Sequence, residues 1–456
     1  MEVKGKKVLV VGIGRTGVPS ANRLAAMGSV VSVTDKGANH GEEIKKLSQG
    51  IDLETGSHSR ASRGKFDMVV VSPGVPWDSP LLQSQRGTGA EVISEIELAF
   101  RLVDRSWLAI TGTNGKSTTT ALVGAMMRES GIESVVCGNI GNAVVGEDAI
   151  FERNVKIVAE ISSFQLEGVS TFRPRVSAIL NITPDHLDRH KTMEEYIGLK
   201  IRIFEKQRGD DVCVLNMDDE EAAKLAGKVQ CRLFPFSVKR RLQDGVFENG
   251  GNIIISLQGE TWNIGPVKNM KLTGRANLEN AIAACAIAFS GGADANAISR
   301  ALFAFEALPH RLEPVAEIGG VRFVNDSKGT NVGSTLKALG GLDGRVAVIL
   351  GGRDKDQDFS PLAELVKKTG AGVVLIGEAA EKIGALLDGY PDVARADGME
   401  SAVGKAARMA GKGGTVLLSP ACASFDMFKD YADRGNKFRA AVKKMAGEPA
   451  LSGKGD

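Results

Sequence analysis

Strand and helix patterns alternate along nearly the whole chain, which predicts an α/β protein of doubly wound units. Its 456 residues are more than one core would hold, so about three domains are expected. Two strands run straight into glycine-rich turns followed by helices, at Gly12–Gly17 and at Gly112–Gly115. Parallel sheets receive phosphates at such turns. Composition narrows the class: 43% hydrophobic and 25% charged residues are ordinary for a soluble globular chain. A net charge of +2 gives neither a nucleic-acid footprint nor an acidic tail. The cysteines (Cys137, Cys213, Cys231, Cys285 and Cys422) are scattered, which argues against a disulfide framework or zinc site and for a reducing compartment. Met1–Lys4 leads directly into a strand, and the longest apolar helix candidate, Ala281–Phe289, is far too short to span a bilayer. A cytoplasmic protein that neither enters membranes nor binds nucleic acid is expected, acting as a monomer.

In residues 1–104, Lys7–Val11 reads as a buried strand, followed by the turn Gly12-Ile13-Gly14-Arg15-Thr16-Gly17 and a helix through Met27. Val30–Asp35 is a second strand ending on an acid. This is the shape of a dinucleotide fingerprint, with glycines for close phosphate approach and an acid for a ribose, though alone it names no cofactor. A third strand, Met68–Val71, enters the stiff loop Ser72-Pro73-Gly74-Val75-Pro76, where open α/β sheets hold ligands.

Residues 105–309 begin with the strand Trp107–Ile110 and the turn Thr111-Gly112-Thr113-Asn114-Gly115-Lys116-Ser117-Thr118. Backbone N–H groups, a helix N-terminus and Lys116 together cradle phosphates, and Ser117 is placed to ligate Mg²⁺. Two residues separate Gly112 from Gly115, where the common phosphate loop has four. ATP binding is expected. Lys156–Glu160 is a strand ending in a carboxylate, the position of a Mg²⁺-associated acid in nucleotide-hydrolysing folds. Thr183–His190 gathers two acids and two histidines after the strand Val176–Ile182, which suits a metal or substrate site and structural roles equally. In the helix Thr192–Phe204, Met193, Tyr196, Ile197, Ile201 and Phe204 form the apolar stripe, and Lys200 falls on it. It either snorkels outward or is held beside a metal or phosphate. Asn277 and Asn280 share one face of a later helix, as base or ribose ligands or as unremarkable caps.

Residues 310–456 carry strands at Val321–Val324, Val346–Leu350, Val373–Ile376 and Val416–Leu418 with helices between, another doubly wound unit. The loops Asn325–Asn331, Gly351–Lys355 and Ser419–Ser424 follow strands and carry basic and hydroxyl groups suited to an anionic substrate, or to turns and caps. The residues after Gly447 read as an unstructured tail.

These motifs resemble one family. Thr111–Thr118 is similar to the shortened phosphate loop of the Mur ligases and the related folylpolyglutamate synthases. Gly12–Gly17, Ser72–Gly74, Gly138-Asn139-Ile140-Gly141 and Glu160–Glu167 resemble the D-glutamate-adding branch of that family. So do Asn325–Asn331, Ser419–Asp426 and Asp433-Arg434-Gly435-Asn436-Lys437-Phe438. The resemblance implies an N-terminal Rossmann-like UDP-binding domain, a central P-loop ATPase-like domain and a C-terminal Rossmann-like domain. It implies that ATP activates the carboxylate of UDP-N-acetylmuramoyl-L-alanine as an acyl phosphate, which the D-glutamate amine attacks. By the same resemblance Arg15, Thr16, Gly17, Asp35, Lys36, Ser72, Pro73, Gly74 and Asn139 face the UDP substrate. Gly112, Thr113, Asn114, Gly115, Lys116, Ser117, Thr118, Asn277, Asn280, Arg311 and Asp326 place ATP. Ser117 and Glu160 hold one Mg²⁺, while His186 and a carbamylated Lys200 belong to a second metal site. Lys116, Glu160, His186 and Lys200 form the catalytic set, and Lys328, Thr330, Lys355 and Ser424 face D-glutamate. Two departures stand out: Ala276 replaces the family's His before Asn277, and Lys36-Gly37 stands where an Arg is common. Another Mur-type or folylpolyglutamate-type ligase is the alternative.

Overall fold

The computed structural model describes residues 1–38, 40–272 and 274–447; the expected tail lies outside them from Glu448 on. Two compact units make up the chain. The first joins Met1–Ile182, Arg189–Asn269 and Asn280–Phe303, and the second Thr183–Asp188, Met270–Glu279 and the chain from Ala304 on.

The first unit holds three sheets. Strands β1 (Lys7–Val11), β2 (Val30–Asp35), β3 (Asp52–Thr55), β4 (Met68–Val71) and β5 (Glu91–Ser94) form a parallel sheet in the order β3-β2-β1-β4-β5. Successive side chains of a strand face opposite ways, so a sheet covered on both faces needs continuous apolar runs. Val8 and Val10 accordingly join one core cluster, while Leu9 and Val11 join another with Val69 and Val71.

A second sheet comprises β6 (Trp107–Thr111), β7 (Ser134–Gly138), β8 (Lys156–Glu160), β9 (Val176–Ile179), β10 (Val212–Leu215) and β11 (Arg232–Leu233). Its order is β11-β10-β9-β6-β8-β7, also parallel. The phosphate-loop strand β6 is therefore central, flanked by the strands that end at Glu160 and before Asn181. The larger core cluster continues from Val8 and Val10 into Trp107, Ile157 and Ile179, joining the first two sheets in one apolar interior. A small third sheet, β12 (Phe236–Ser237), β13 (Gly245–Asn249), β14 (Asn252–Leu257) and β15 (Glu260–Pro266), is antiparallel from β13 onward. Its hairpin turns are Gly250-Gly251 and Gln258-Gly259, all four residues with positive φ, as a type I′ two-residue loop requires.

The second unit carries β16 (Glu313–Ile318), β17 (Val321–Asn325), β18 (Val346–Gly351), β19 (Gly372–Ile376), β20 (Val393–Arg395) and β21 (Thr415–Leu418), in the order β16-β17-β21-β18-β19-β20. Only the edge strand β16 among them pairs antiparallel. Val348, Leu350, Val373 and Leu375 face one cluster, and Ala347, Ile349, Val374 and Ile376 the other. The strands read in the sequence are present; β3, β5, β7, β10, β11, β12, β13, β15, β16 and β20 were not read, and in β15 and β16 polar, exposed residues obscure the pattern.

Within the first unit, the helix Glu95–Leu102 is fastened to residues 170–172 through Glu97. Its buried carboxylate accepts from the N–H groups of Ser170, Thr171 and Phe172 at 3.0, 2.9 and 3.1 Å, from Thr171 Oγ1 at 2.6 Å and from Arg101 Nε at 2.7 Å. Burial by itself raises such a carboxyl, but the donors from Thr171, Ser170 and Arg101 outweigh it and hold Glu97 below its ordinary value. Removing it leaves three backbone donors without their acceptor and takes from Arg101 one of its two carboxylate partners. Glu97→Ala is expected to lower unfolding stability by about 3–5 kcal/mol, read from denaturant midpoints.

Candidate active site

In the first unit, β6 runs into Gly112, and the following helix, Lys116–Glu129, starts at a left-handed Gly115. A side chain at Gly115 would collide with the Asn280 carboxamide, so glycine lets Asn280 press directly on the loop. Lys116 Nζ folds back onto the carbonyls of Gly112 and Thr113, 2.8 Å from each. Asn114 is held at both ends by Asn181: its N–H donates to Oδ1 at 2.8 Å and its carbonyl accepts from Nδ2 at 3.0 Å. Thr113 Oγ1 lies 3.2 Å from the Tyr196 hydroxyl. Asn181 and Tyr196 were not assigned from sequence; a polar side chain directly after a buried strand was the available signal for Asn181. Thr118 is buried in the first turn of the helix.

Glu160, 2% exposed at the end of β8, joins several parts of the site. Its carboxylate accepts a short hydrogen bond from Ser117 Oγ and one of 2.7 Å from Asn139 Nδ2. Asn139 in turn receives Arg15, whose guanidinium donates to the carbonyls of Gly138 at 3.2 Å and Asn139 at 2.9 Å. The hydroxyl and carboxylate are hard oxygen donors, as Mg²⁺ requires when phosphates and waters complete its shell. Among the described residues no group of three or more His, Cys, Asp or Glu could hold a metal by itself.

Lys200 does not snorkel. It is 1% exposed, more buried than its apolar neighbours Ile197 and Ile201, and its ammonium donates to Gly112 O at 3.0 Å, 4.4 Å from the Tyr196 ring. Its helix is shorter than the sequence pattern suggested, Met193–Ile201, with Thr192 as its cap. Of the two histidines in Thr183–His190, one takes the structural role that the sequence left open. His190 is 1% exposed, accepts or donates at Ser163 Oγ (2.9 Å), and stacks on Tyr196; it is a core residue.

At the tip of β1, Asp35 braces the glycine turn, its carboxylate accepting from Ile13 N and Gly37 N at 2.7 Å each, with His40 Nε2 at 3.1 Å. Those two bonds occupy one lone pair on each oxygen. Thr16 is buried, Gly17 packs on the Gly12 carbonyl, Lys36 is exposed, and Ser72 Oγ lies 3.4 Å from Gly12 O. Pro73 is half-buried and Gly74 exposed.

In the second unit, His186 has a left-handed backbone and lies beside Asp185, which accepts from Asn331 at 2.9 Å. Asn277 is buried at the start of the helix Arg275–Ser290. Ala276 lines a small cavity with Gly274, Leu312, Val324, Lys337 and Leu342. Asp326 is buried and accepts from Ser419 Oγ at 2.7 Å and Leu312 N at 3.2 Å; burial pushes its carboxyl up to about 7, against the pull of Ser419, Leu312, Arg311 and Arg434. Lys328 Nζ sits 3.6 Å from the Tyr431 ring centre, and Thr330 is half-buried in the same loop. Gly352 has φ 131°, and a side chain there would strike Ala423 O. Its absence lets Arg353 and Ala423 exchange backbone bonds of 2.9 and 3.1 Å, which sets the loop of half-buried Lys355 beside that of buried Ser424. Arg434, fully buried, ties both regions: it donates to Ser327 Oγ (3.0 Å), Ser327 O (2.8 Å), Cys422 O (3.0 Å) and Ala423 O (3.3 Å). Burial brings its guanidinium down to about 10.

A phosphate loop on a parallel sheet with a carboxylate–hydroxyl pair beside it describes a nucleotide-using enzyme. Comparison with known proteins agrees. Residues 110–288 match the model of the Mur ligase middle domain, 6–94 that of the Mur ligase MurD-like N-terminal domain, and 310–422 that of the Mur ligase glutamate ligase domain. The chain belongs to the Mur ligase family. It is 46% identical over 453 residues to a UDP-N-acetylmuramoylalanine--D-glutamate ligase of Geotalea daltonii, covering 98% of this chain and 99% of that one. With the enzyme of the same name from Geobacter metallireducens it shares 47% over 450 residues, again 98% and 99%. The fold is shared with a pseudomurein peptide ligase type C from Methanothermus fervidus (TM-score 0.60, 21% identity, 97% of this chain and 100% of that one). It is shared also with MurF ligase from Thermotoga maritima, solved in complex with ADP (TM-score 0.58, 14% identity, 97% and 96%). Among the described residues no helix is long and apolar enough to cross a membrane.

Asp326 gives a pH test. Because its folded pKa is raised above the unfolded 3.8, the folded protein binds more protons between about 4 and about 7, and stability from this group falls as pH rises through that window. The melting temperature of Asp326→Asn minus that of wild type is expected to rise by a few degrees from pH 5 to pH 8; a constant difference contradicts the raised carboxyl.

Proposed function

We propose that this protein is an ATP-dependent ligase that adds D-glutamate to UDP-N-acetylmuramoyl-L-alanine in cytoplasmic synthesis of peptidoglycan precursors. The carrying observation is the Ser117–Glu160 pair beside a phosphate loop whose Gly112 carbonyl receives both Lys116 and the buried Lys200. We assign residues 1–104 to the UDP substrate, 105–309 to ATP and 310–456 to D-glutamate. One chain carries the full set of candidate sites, so a monomer suffices.

A carboxylate is a poor electrophile and must be activated first. A carboxylate oxygen of the UDP substrate attacks the γ-phosphorus, the bond to the β-bridging oxygen breaks, and ADP leaves. The D-glutamate amine then attacks the acyl carbon; the tetrahedral intermediate loses phosphate, and the amine proton passes to solvent. Charge on the transferring phosphoryl group is the main obstacle, and positioned cations and N–H donors address it. Lys116 turns from the loop carbonyls to the β/γ-phosphates, while the N–H groups of Thr113–Thr118 hold them. Arg15, Thr16, Gly17, Asp35, Lys36, Ser72, Pro73, Gly74 and Asn139 hold the UDP substrate. Asn277, Asn280, Arg311 and Asp326 orient ATP. Lys328, Lys355, Thr330 and Ser424 offer two cations and two hydroxyls to the two carboxylates of D-glutamate.

Mg²⁺, when bound, would neutralise phosphate charge; Ser117 and Glu160 fit one ion, and the family resemblance assigns His186 and Lys200 to a second. An ammonium cannot ligate a metal. The neutral Lys200 amine adding to CO₂ and losing a proton gives a carbamate that can, and its 1% exposure protects such a group from hydrolysis.

ADP release in the presence of ATP, Mg²⁺ and UDP-N-acetylmuramoyl-L-alanine is expected to require D-glutamate and to be weak with L-glutamate. Preference for another amino acid would transfer the chain to another ligase of the family. Lys200→Ala is expected to lose at least about a hundredfold in kcat, about 2.7 kcal/mol of barrier. Short carboxylates such as acetate should restore part of it; full activity in the variant would remove Lys200 from the chemistry.

A further inference from the structure

Between the Ser72–Pro76 loop and the phosphate loop lies a buried cluster to which the reaction above gives no role. Arg189 begins it. Its guanidinium donates to Pro73 O at 3.3 Å and Val75 O at 2.8 Å, and to Glu167 Oε2 at 2.7 Å, while its plane rests 4.7 Å from the Phe164 ring centre. Phe164 lies 5.1 Å from the ring of His190, which lies 5.3 Å from the ring of Tyr196. Tyr196 reaches Thr113 of the phosphate loop at 3.2 Å. All these residues belong to the first unit. The Ser163, His190 and Glu167 side chains resemble a nucleophile–base set, but His190 Nδ1 is 3.9 Å from Glu167 and both Ser163 and His190 are buried.

We propose that Arg189 is a positioning residue that fixes the Ser72–Pro76 loop against the phosphate-loop sheet and so sets where the reacting end of the UDP substrate lies. This rests on the assignment of that loop to the UDP substrate. The loop is stiff: Pro73 and Pro76 fix φ, and Val75 N closes a turn on Ser72 O at 3.0 Å. A stiff loop held by two of its carbonyls moves as a body when their donor moves. The planar guanidinium can serve both carbonyls while Glu167, 9% exposed, keeps it from swinging away. Water can replace the donor at those carbonyls, so losing Arg189 should relocate the loop without unfolding the chain.

The test is steady-state kinetics of Arg189→Met and Arg189→Lys, with calorimetric binding of UDP-N-acetylmuramoyl-L-alanine and thermal melting in parallel. Arg189→Met, which keeps the apolar contact with Phe164, should raise KM for the UDP substrate about tenfold or more and leave KM for ATP within about twofold. Its melting temperature should stay near wild type, and Arg189→Lys, with one point-like donor, should fall between. Adding Glu167→Ala to Arg189→Met should cost little more, since both act through one contact. Equal rises in both KM values, or no change in either, overturn the proposal. So does a Lys variant indistinguishable from wild type should the Met variant fail to fold. The binding arm needs no turnover: absence of D-glutamate-dependent activity in wild type would refute the reaction, whereas unaltered UDP-substrate affinity in folded Arg189→Met would refute the positioning role.

Discussion

The Glu160 carboxylate is the junction on which the first unit's chemistry depends. It closes β8, takes the Ser117 hydroxyl from the start of the phosphate-loop helix, and takes the Asn139 amide from the end of β7. A carboxylate at 2% exposure is tolerable only with such donors. Asn139 carries the connection onward through its carbonyl to Arg15, on the glycine turn of the first sheet. The start of the phosphate-loop helix and the glycine turn of the first sheet are thus one hydrogen-bonded assembly.

Arginines do much of the joining. Arg15 reaches carbonyls of residues 138 and 139, Arg189 those of 73 and 75, and Arg434 those of 327, 422 and 423. In each case a rigid fork of donors meets carbonyls of a loop following a strand, where the sheet ladder has stopped supplying partners. Loops that carry function are thereby held firmly without being made of regular structure.

Much of this was legible in the chain. The longer apolar strands, the two glycine turns and the loops of the second unit follow from apolar runs and turn residues, which are local signals, whereas the pairing of Ser117 with Glu160 came from the family resemblance. Lys200 was legible as an anomaly on an apolar stripe but not as an interior ammonium, since a long side chain can leave such a stripe. His190 and His186 are close in sequence and look alike there. Packing makes the first a core residue and gives the second a left-handed backbone beside Asp185.

The sequence by itself determined the order of strands and glycine turns along the chain and, by resemblance, the family. Those depend on period, spacing and residue type, which are properties of neighbouring positions. Only the tertiary structure decided which carbonyls Arg189 and Arg434 serve, that Asn181 braces Asn114, and that burial raises Asp326. Each of these is a meeting of residues distant in sequence, or a loss of solvent around one of them, and neither leaves a local pattern to read.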